Sequence, residues 1–205
     1  MKKQFVIYFF LGAGLLLFLL LFIHSEKEKR AYESYLSVVL VNKIVGISQS
    51  ALYNLGILQD VIKTGKLTKV QAGELENGFN DIAMDTQDLR GMGEETDLLR
   101  DYDGNDVIQI NSNYSFFLYR ISIDHDEIKL TEEQIENLKK MEKLMQEYHK
   151  VVKDTFEITG KVGEKGVSSE FWELYREKGI TDDYWIKLLK GYARVTDRSY
   201  SVILQ

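Results

Sequence analysis

Few side chains in this sequence could do chemistry, and their spacing rules out most of the chemistry they could do. Cysteine is absent, which removes disulfides, thiolate metal sites and a cysteine nucleophile together. The histidines are His24, His125 and His149. A carboxylate-bridged di-iron bundle needs Glu-x-x-His on two helices, but the residue three before His149 is Gln146 and the residue three before His125 is Ser122. No His-Glu-x-x-His occurs either, so the helical zinc-protease pattern fails. His149 falls one position off an apolar heptad stripe, where a solvated or hydrogen-bonded imidazole is expected.

Asp101, Asp103 and Asn105 imitate the first ligands of a calcium loop. The imitation breaks at the sixth position, Asp106 instead of glycine, and at the twelfth, Ser112 instead of a bidentate glutamate. A polar turn is expected, with loose calcium binding by Asp101, Asp103 and Asp106 left as the alternative. Gly91-Met92-Gly93 lacks the third glycine of a dinucleotide loop. In the Gly160 to Gly166 stretch Lys165 stands where a phosphate loop needs its second glycine. No Gly-x-Ser-x-Gly surrounds any serine. Asn113-Tyr114-Ser115 matches a glycosylation sequon, a pattern too short to carry weight. No enzyme, no cofactor and no metal site is expected. What remains is an aromatic cluster, Phe171, Trp172, Tyr175, Tyr184, Trp185 and Tyr192. Tyr and Trp join a large apolar area to a polar handle, the property that enriches them at interaction surfaces. Core packing accounts for part of the set, and Trp172, Tyr175 and Trp185 are the candidate partner contacts.

These residues must be positioned by helices. Proline is absent from 205 residues, and at an average usage of about 5% that favours long uninterrupted helices. Val38, Val41, Val45, Leu52, Leu55 and Ile62, with Ser48 and Gln59 filling the gaps, recur at three- and four-residue steps up to Gly65, the expected C-terminal cap. Thr68 with Gln71 forms a capping box that opens a second helix, expected to reach about Arg90 before Gly91 and Gly93 break it. A short helix is expected around Glu94 to Arg100, then a turn at Asp103-Gly104-Asn105. Val107 to Ile121 keeps helical spacing, although the β-branched pair Ile121 and Ile123 also permits a strand. Thr131 and Gln134 box the next start, with Leu130 and Ile135 as a hydrophobic staple. Leu138, Met141, Met145, Tyr148 and Val152 then repeat at coiled-coil-like heptad spacing. After the glycine loop, Ser169 caps a short helix closed by Gly179, and Thr181 or Asp182 opens the last one.

The N-terminal region answers to a different solvent. From Phe5 to Ile23 no charged side chain occurs, and as a helix this run is about 28 Å long, near the roughly 30 Å hydrocarbon thickness. A cleaved signal has a shorter apolar run and a small-x-small site; here Glu26-Lys27-Glu28-Lys29-Arg30 follows instead. An uncleaved anchor over residues 1–25 is expected, followed by a soluble domain at 26–205. The helix should bend or fray near Glu26 to Arg30 as it continues outward. Lys2 and Lys3 on one side nearly balance Lys27, Lys29 and Arg30 on the other. The resemblance of the basic tip to an export signal still favours an extracytoplasmic large domain. Met1 to Gln4 is too short for an output domain, so any signal leaves through a partner. Gly12 and Gly14 miss small-xxx-small spacing, since positions 8 and 16 are Tyr8 and Leu16.

Beyond Lys2 and Lys3 the chain holds 24 basic against 32 acidic residues, a net −8, which disfavours nucleic acid and anionic lipid as the main partner. The expected fold is all-α: an N-terminal transmembrane helix followed by an antiparallel bundle of about four to six helices. The expected function is that of a single-pass membrane-anchored protein, lodged in the bilayer through Phe5 to Ile23 and contacting another membrane or surface protein. Self-association is compatible with the same layout. The alternative is an extracytoplasmic ligand-sensing bundle that signals through a membrane partner.

Overall fold

The computed structural model describes residues 2–99, 102–122, 126–156, 172–173, 175–176 and 179–203. Helix α1 (Lys2–Thr64) leads outward, then strand β1 (Lys66–Thr68), α2 (Lys69–Glu95), α3 (Asn105–Ser122), strand β2 (Glu127–Lys129), α4 (Glu132–Thr155) and α5 (Tyr184–Ile203). The helices alternate in direction. Asn54 meets Gly78 and Lys43 meets Asp85, so α2 runs back along α1. Arg90 bonds Asn105 and Phe79 packs on Tyr114, so α3 runs out again. Tyr148 reaches Thr196 while Phe156 touches Tyr184, which makes α4 and α5 antiparallel. The product is an all-α protein in which one long N-terminal helix enters a helical bundle.

Helix α1 is 63 residues long, about 95 Å at 1.5 Å per residue. Three environments succeed one another along it. From Ile7 to Ile23 its large apolar side chains are all exposed, and this stretch is long and apolar enough to cross a membrane. From His24 to Leu36 no side chain is buried. From Ser37 onward one face enters the core through Leu40, Val41, Ile44, Ile47, Ala51, Leu58 and Val61. The expected bend near Glu26 to Arg30 is not found. A helical His24–Glu28 contact (3.3 Å) and the ion pairs Arg30–Glu26 (4.0 Å) and Lys29–Glu33 (3.8 Å) run along that stalk. Each is weak on an exposed surface, but together they favour helix where no packing does. Gly65, with φ +67°, ends the helix, since only glycine takes that conformation without a Cβ penalty.

Both capping boxes are present. Thr68 Oγ1 accepts from the Gln71 amide (3.2 Å) while the Gln71 side chain accepts from the Thr68 amide (3.1 Å). Thr131 and Gln134 repeat the exchange at 3.2 and 2.8 Å. The heptad stripe of α4 is buried as its spacing requires, through Leu138, Met141, Met145, Tyr148 and Val152. Between β1 and β2 runs a three-residue antiparallel ladder, Lys66 with Lys129, Leu67 with Ile128 and Thr68 with Glu127. This ladder was not legible as strand. It ties the turn after α1 to the entry of α4, supported by Leu130 N–H donating to Gly65 O (3.0 Å).

The glycines of α2 do not break it. The helix continues through Gly91 and Gly93 to Glu95, and no separate helix follows over the described part of Glu94 to Arg100. A Schellman closure stops it instead: Asp97 adopts φ 57°, its N–H donates to Glu94 O (3.1 Å), and Leu98 N–H donates to Gly93 O (3.0 Å). Gly93 is there for packing. A Cβ on it would lie 3.1 Å from the Trp185 ring and collide with Leu99. Residue 123 lies outside the described residues, and Val107 through Ile121 are helical. The Gly160 to Gly166 loop, Ser169, Phe171 and His125 also lie outside the described residues.

Because each capping threonine satisfies an amide no intrahelical carbonyl can reach, Thr131→Ala should lower unfolding stability by about 1 kcal/mol. Denaturant titration of the full chain in detergent, followed by circular dichroism, checks the value.

Candidate functional site

The aromatic set divides into an interior and an edge. Trp185 is fully buried and its indole N–H donates to Ile180 O at 3.1 Å. Tyr175 is also buried, in edge contact with Phe156 (4.9 Å between centroids) and tilted against Tyr184 (4.9 Å). These rings hold the start of α5 and the preceding segment onto the end of α4. In this arrangement neither Trp185 nor Tyr175 offers surface to a partner. Each ring removes a large apolar area from water where it sits, which favours the interior over the surface. Trp172 stands at the edge, half-buried, donating to Asn42 Oδ1 of α1 (3.0 Å). The Arg176 guanidinium lies over its ring, 4.9 Å from the centroid, a cation–π contact that fixes both side chains.

Two polar arrangements escaped the sequence reading. At the bundle centre Asn111 Nδ2 donates to Val107 O (2.7 Å) and to the Tyr148 hydroxyl (3.2 Å). The Tyr148 hydroxyl in turn shares a 2.7 Å hydrogen bond with Thr196 Oγ1, which donates to Tyr192 O at 2.8 Å. The Tyr148 and Tyr192 rings stack with centroids 3.9 Å apart. Burial pushes the hydroxyl pKa values of Tyr148, Tyr192 and Tyr102 upward. A polar residue in an otherwise apolar helical stripe, such as Asn111 or Thr196, is the only signal that could have revealed the network. The second arrangement is the α1–α2 ion cluster, where Lys43 Nζ lies 3.1 Å from Asp85 and 2.5 Å from Asp88. Half-buried Asp85 loses more to desolvation than Lys43 returns, so its carboxyl sits above the ordinary range.

On the half of the α1–α2 pair farther from the apolar run lies an open groove of about 1200 Å³, lined by Tyr53, Asp60, Glu74, Asn77 and Asp81 among others, with no lysine or arginine in its described lining. Tyr53 bonds Glu74, which holds its phenol pKa above normal. His149 is partly buried on α4; desolvation, then nearby Lys153, lowers its pKa and keeps the imidazole neutral. Of the calcium-like stretch, Asp101 is outside the described residues. Asp103 Oδ1 accepts from the Asn105 N–H (3.1 Å), where α3 begins. A helix from Asn105 cannot wrap an ion as a twelve-residue loop does. Among the described residues no three His, Cys, Asp or Glu side chains converge as a metal site would require.

The chain matches no protein-family model, no curated protein and no solved structure.

Replacing Tyr148 by phenylalanine leaves Asn111 with Val107 O alone and Thr196 with one partner fewer inside the core. Tyr148→Phe should therefore cost about 1 to 3 kcal/mol despite conserving the ring, measured by thermal or chemical unfolding of the full chain in detergent.

Proposed function

We propose that this protein is a single-pass membrane-anchored helical bundle that works by contacting another protein beside the membrane surface. The observation that carries the reading is the division of labour along α1, which exposes Ile7 to Ile23 on every side and buries Leu40 to Val61 in the bundle. An unbroken helix joins the two, so motion or position in the bilayer is delivered to the bundle without a hinge. The large domain is extracytoplasmic in this reading, on the strength of the Lys2 and Lys3 tip. Contact with the partner falls on the membrane-proximal end. Trp172 is the member of the predicted trio with surface to offer, and on the stalk Tyr32 and Tyr35 are 70% and 67% exposed. Exposed tyrosines three residues apart share one helix face, and their amphipathic rings suit a protein interface.

Photo-crosslinking from the exposed stalk positions 28 and 31, beside Tyr32 and Tyr35, in intact membranes should give one defined adduct. The combined change Tyr32→Ala, Tyr35→Ala and Trp172→Ala should abolish that adduct while leaving the circular dichroism unchanged. A ladder of random adducts, or one band that survives the triple change, sinks the reading.

The groove between α1 and α2 favours a second reading, a bundle that senses a small cationic ligand. Its carboxylates Asp60, Glu74 and Asp81 and the Tyr53 ring suit an amine. A panel of organic amines should then raise the melting temperature with concentration, and Asp81→Asn should blunt the rise. A flat panel removes this alternative.

A further inference from the structure

A crevice of about 540 Å³ opens at the membrane-proximal end, between the stalk and the segment leading into α5. Arg30, Ser34 and Ser37 of α1 form one wall; Arg176, Ile180 and Thr181 form part of the other. The walls are fixed to each other. Ile180 N–H donates to Ser37 Oγ (3.0 Å), and Ser37 Oγ donates to Glu33 O (2.5 Å). Gly179 turns the chain with φ +72°, and a Cβ there would sit 3.3 Å from Ser37 Oγ. Arg176 is oriented from behind by Trp172, itself bonded to Asn42.

The charges left over are positive. Arg176 has no carboxylate partner among the described residues, and Arg30 has only Glu26 at 4.0 Å. Glu33, the one carboxylate of the lining, is 3.8 Å from Lys29. Two arginines line the crevice together with Ser34 and Thr181, and guanidinium and hydroxyl groups are the donors that a phosphate accepts from.

Height above the bilayer narrows the ligand. Arg30 stands seven residues past Ile23, about 10 Å along the helix, and Ser37 about 21 Å. Headgroups extend only about 5 to 7 Å beyond the hydrocarbon. A diester phosphate at that level can be met by the Arg30 side chain alone. Filling a crevice that rises from Arg30 to Ser37 takes phosphate carried further out.

We propose that this crevice binds the projecting phosphates of a lipid whose headgroup bears phosphate beyond the backbone diester, held in the same membrane as α1. The inference rests on α1 being in a bilayer and is independent of any protein partner. It also reconciles an acidic domain with a lipid contact, because the two arginines are local while the domain's net −8, in which they are counted, is spread over all of it.

The test uses the full chain in nanodiscs, labelled with 5-fluorotryptophan. Its two indoles, Trp172 and Trp185, give separate fluorine resonances, assigned with Trp172→Phe. Phosphatidylinositol bisphosphate in a phosphatidylcholine disc should shift the Trp172 resonance saturably and leave Trp185 in place. Phosphatidylserine at matched charge should act roughly tenfold more weakly, since it offers charge without a projecting phosphate to the forks. Arg30→Gln with Arg176→Gln should erase the shift, while the unmoved Trp185 resonance reports an intact core. Equal responses to the two lipids would mean surface charge alone and overturn the proposal. So would an equal shift from millimolar inorganic phosphate in neutral discs, which would make this a soluble-anion site. Persistence of the shift in the double variant would overturn it as well. The Tyr32 and Tyr35 changes that remove a protein partner should leave the shift untouched, so the two readings fail separately.

Discussion

One helix has to satisfy two solvents, and the rest of the molecule is arranged around that demand. In its first third α1 exposes apolar side chains in every direction, over a length sufficient to cross a membrane. Farther along, the same helix buries one face and wets the other. Between the two lies a stalk with neither lipid nor core to hold it, where helicity rests on local ion pairs and on the absence of any breaker. The bundle is thereby carried at a fixed distance and orientation relative to the apolar segment, which a flexible linker would not achieve.

The bundle then closes on α1 through a few directional contacts laid over non-directional burial. At the far end the short ladder of β1 and β2 sets where α4 begins. At the near end the Ser37 hydroxyl captures the Ile180 amide, and Trp185 fills the space that Gly93 leaves open. In the middle Asn111, Tyr148 and Thr196 link α3, α4 and α5. Hydrophobic burial supplies most of the favourable free energy but tolerates sliding, whereas a buried hydrogen bond tolerates almost none. The polar pins therefore set the register in which the apolar stripes meet.

Much of this architecture was legible before any coordinates. Thr68 and Thr131 began helices because their side chains satisfy amides of their own first turn, a matter of three consecutive residues. The α4 stripe pointed inward because its period matches the helix. The failures share one cause. Gly91 and Gly93 read as a break, since a lone glycine weakens a helix; Leu99, folded back after the helix, and the Trp185 ring, distant in sequence, together leave no room for a Cβ at Gly93. Trp185 and Tyr175 read as contact residues because their amphipathic rings suit an interface as well as a core, and only their neighbours decide between the two.

Sequence alone determined the apolar run, the helix starts and the faces that seek burial, because each depends on residue type and on spacing within a few turns. Tertiary structure decided which helices neighbour each other, which aromatic rings keep a surface, and that Arg30 and Arg176 share a crevice across nearly the whole bundle sequence. Those outcomes depend on distances between residues far apart in the chain. No local periodicity encodes such distances, and packing at near-crystal density fixes them to within an ångström.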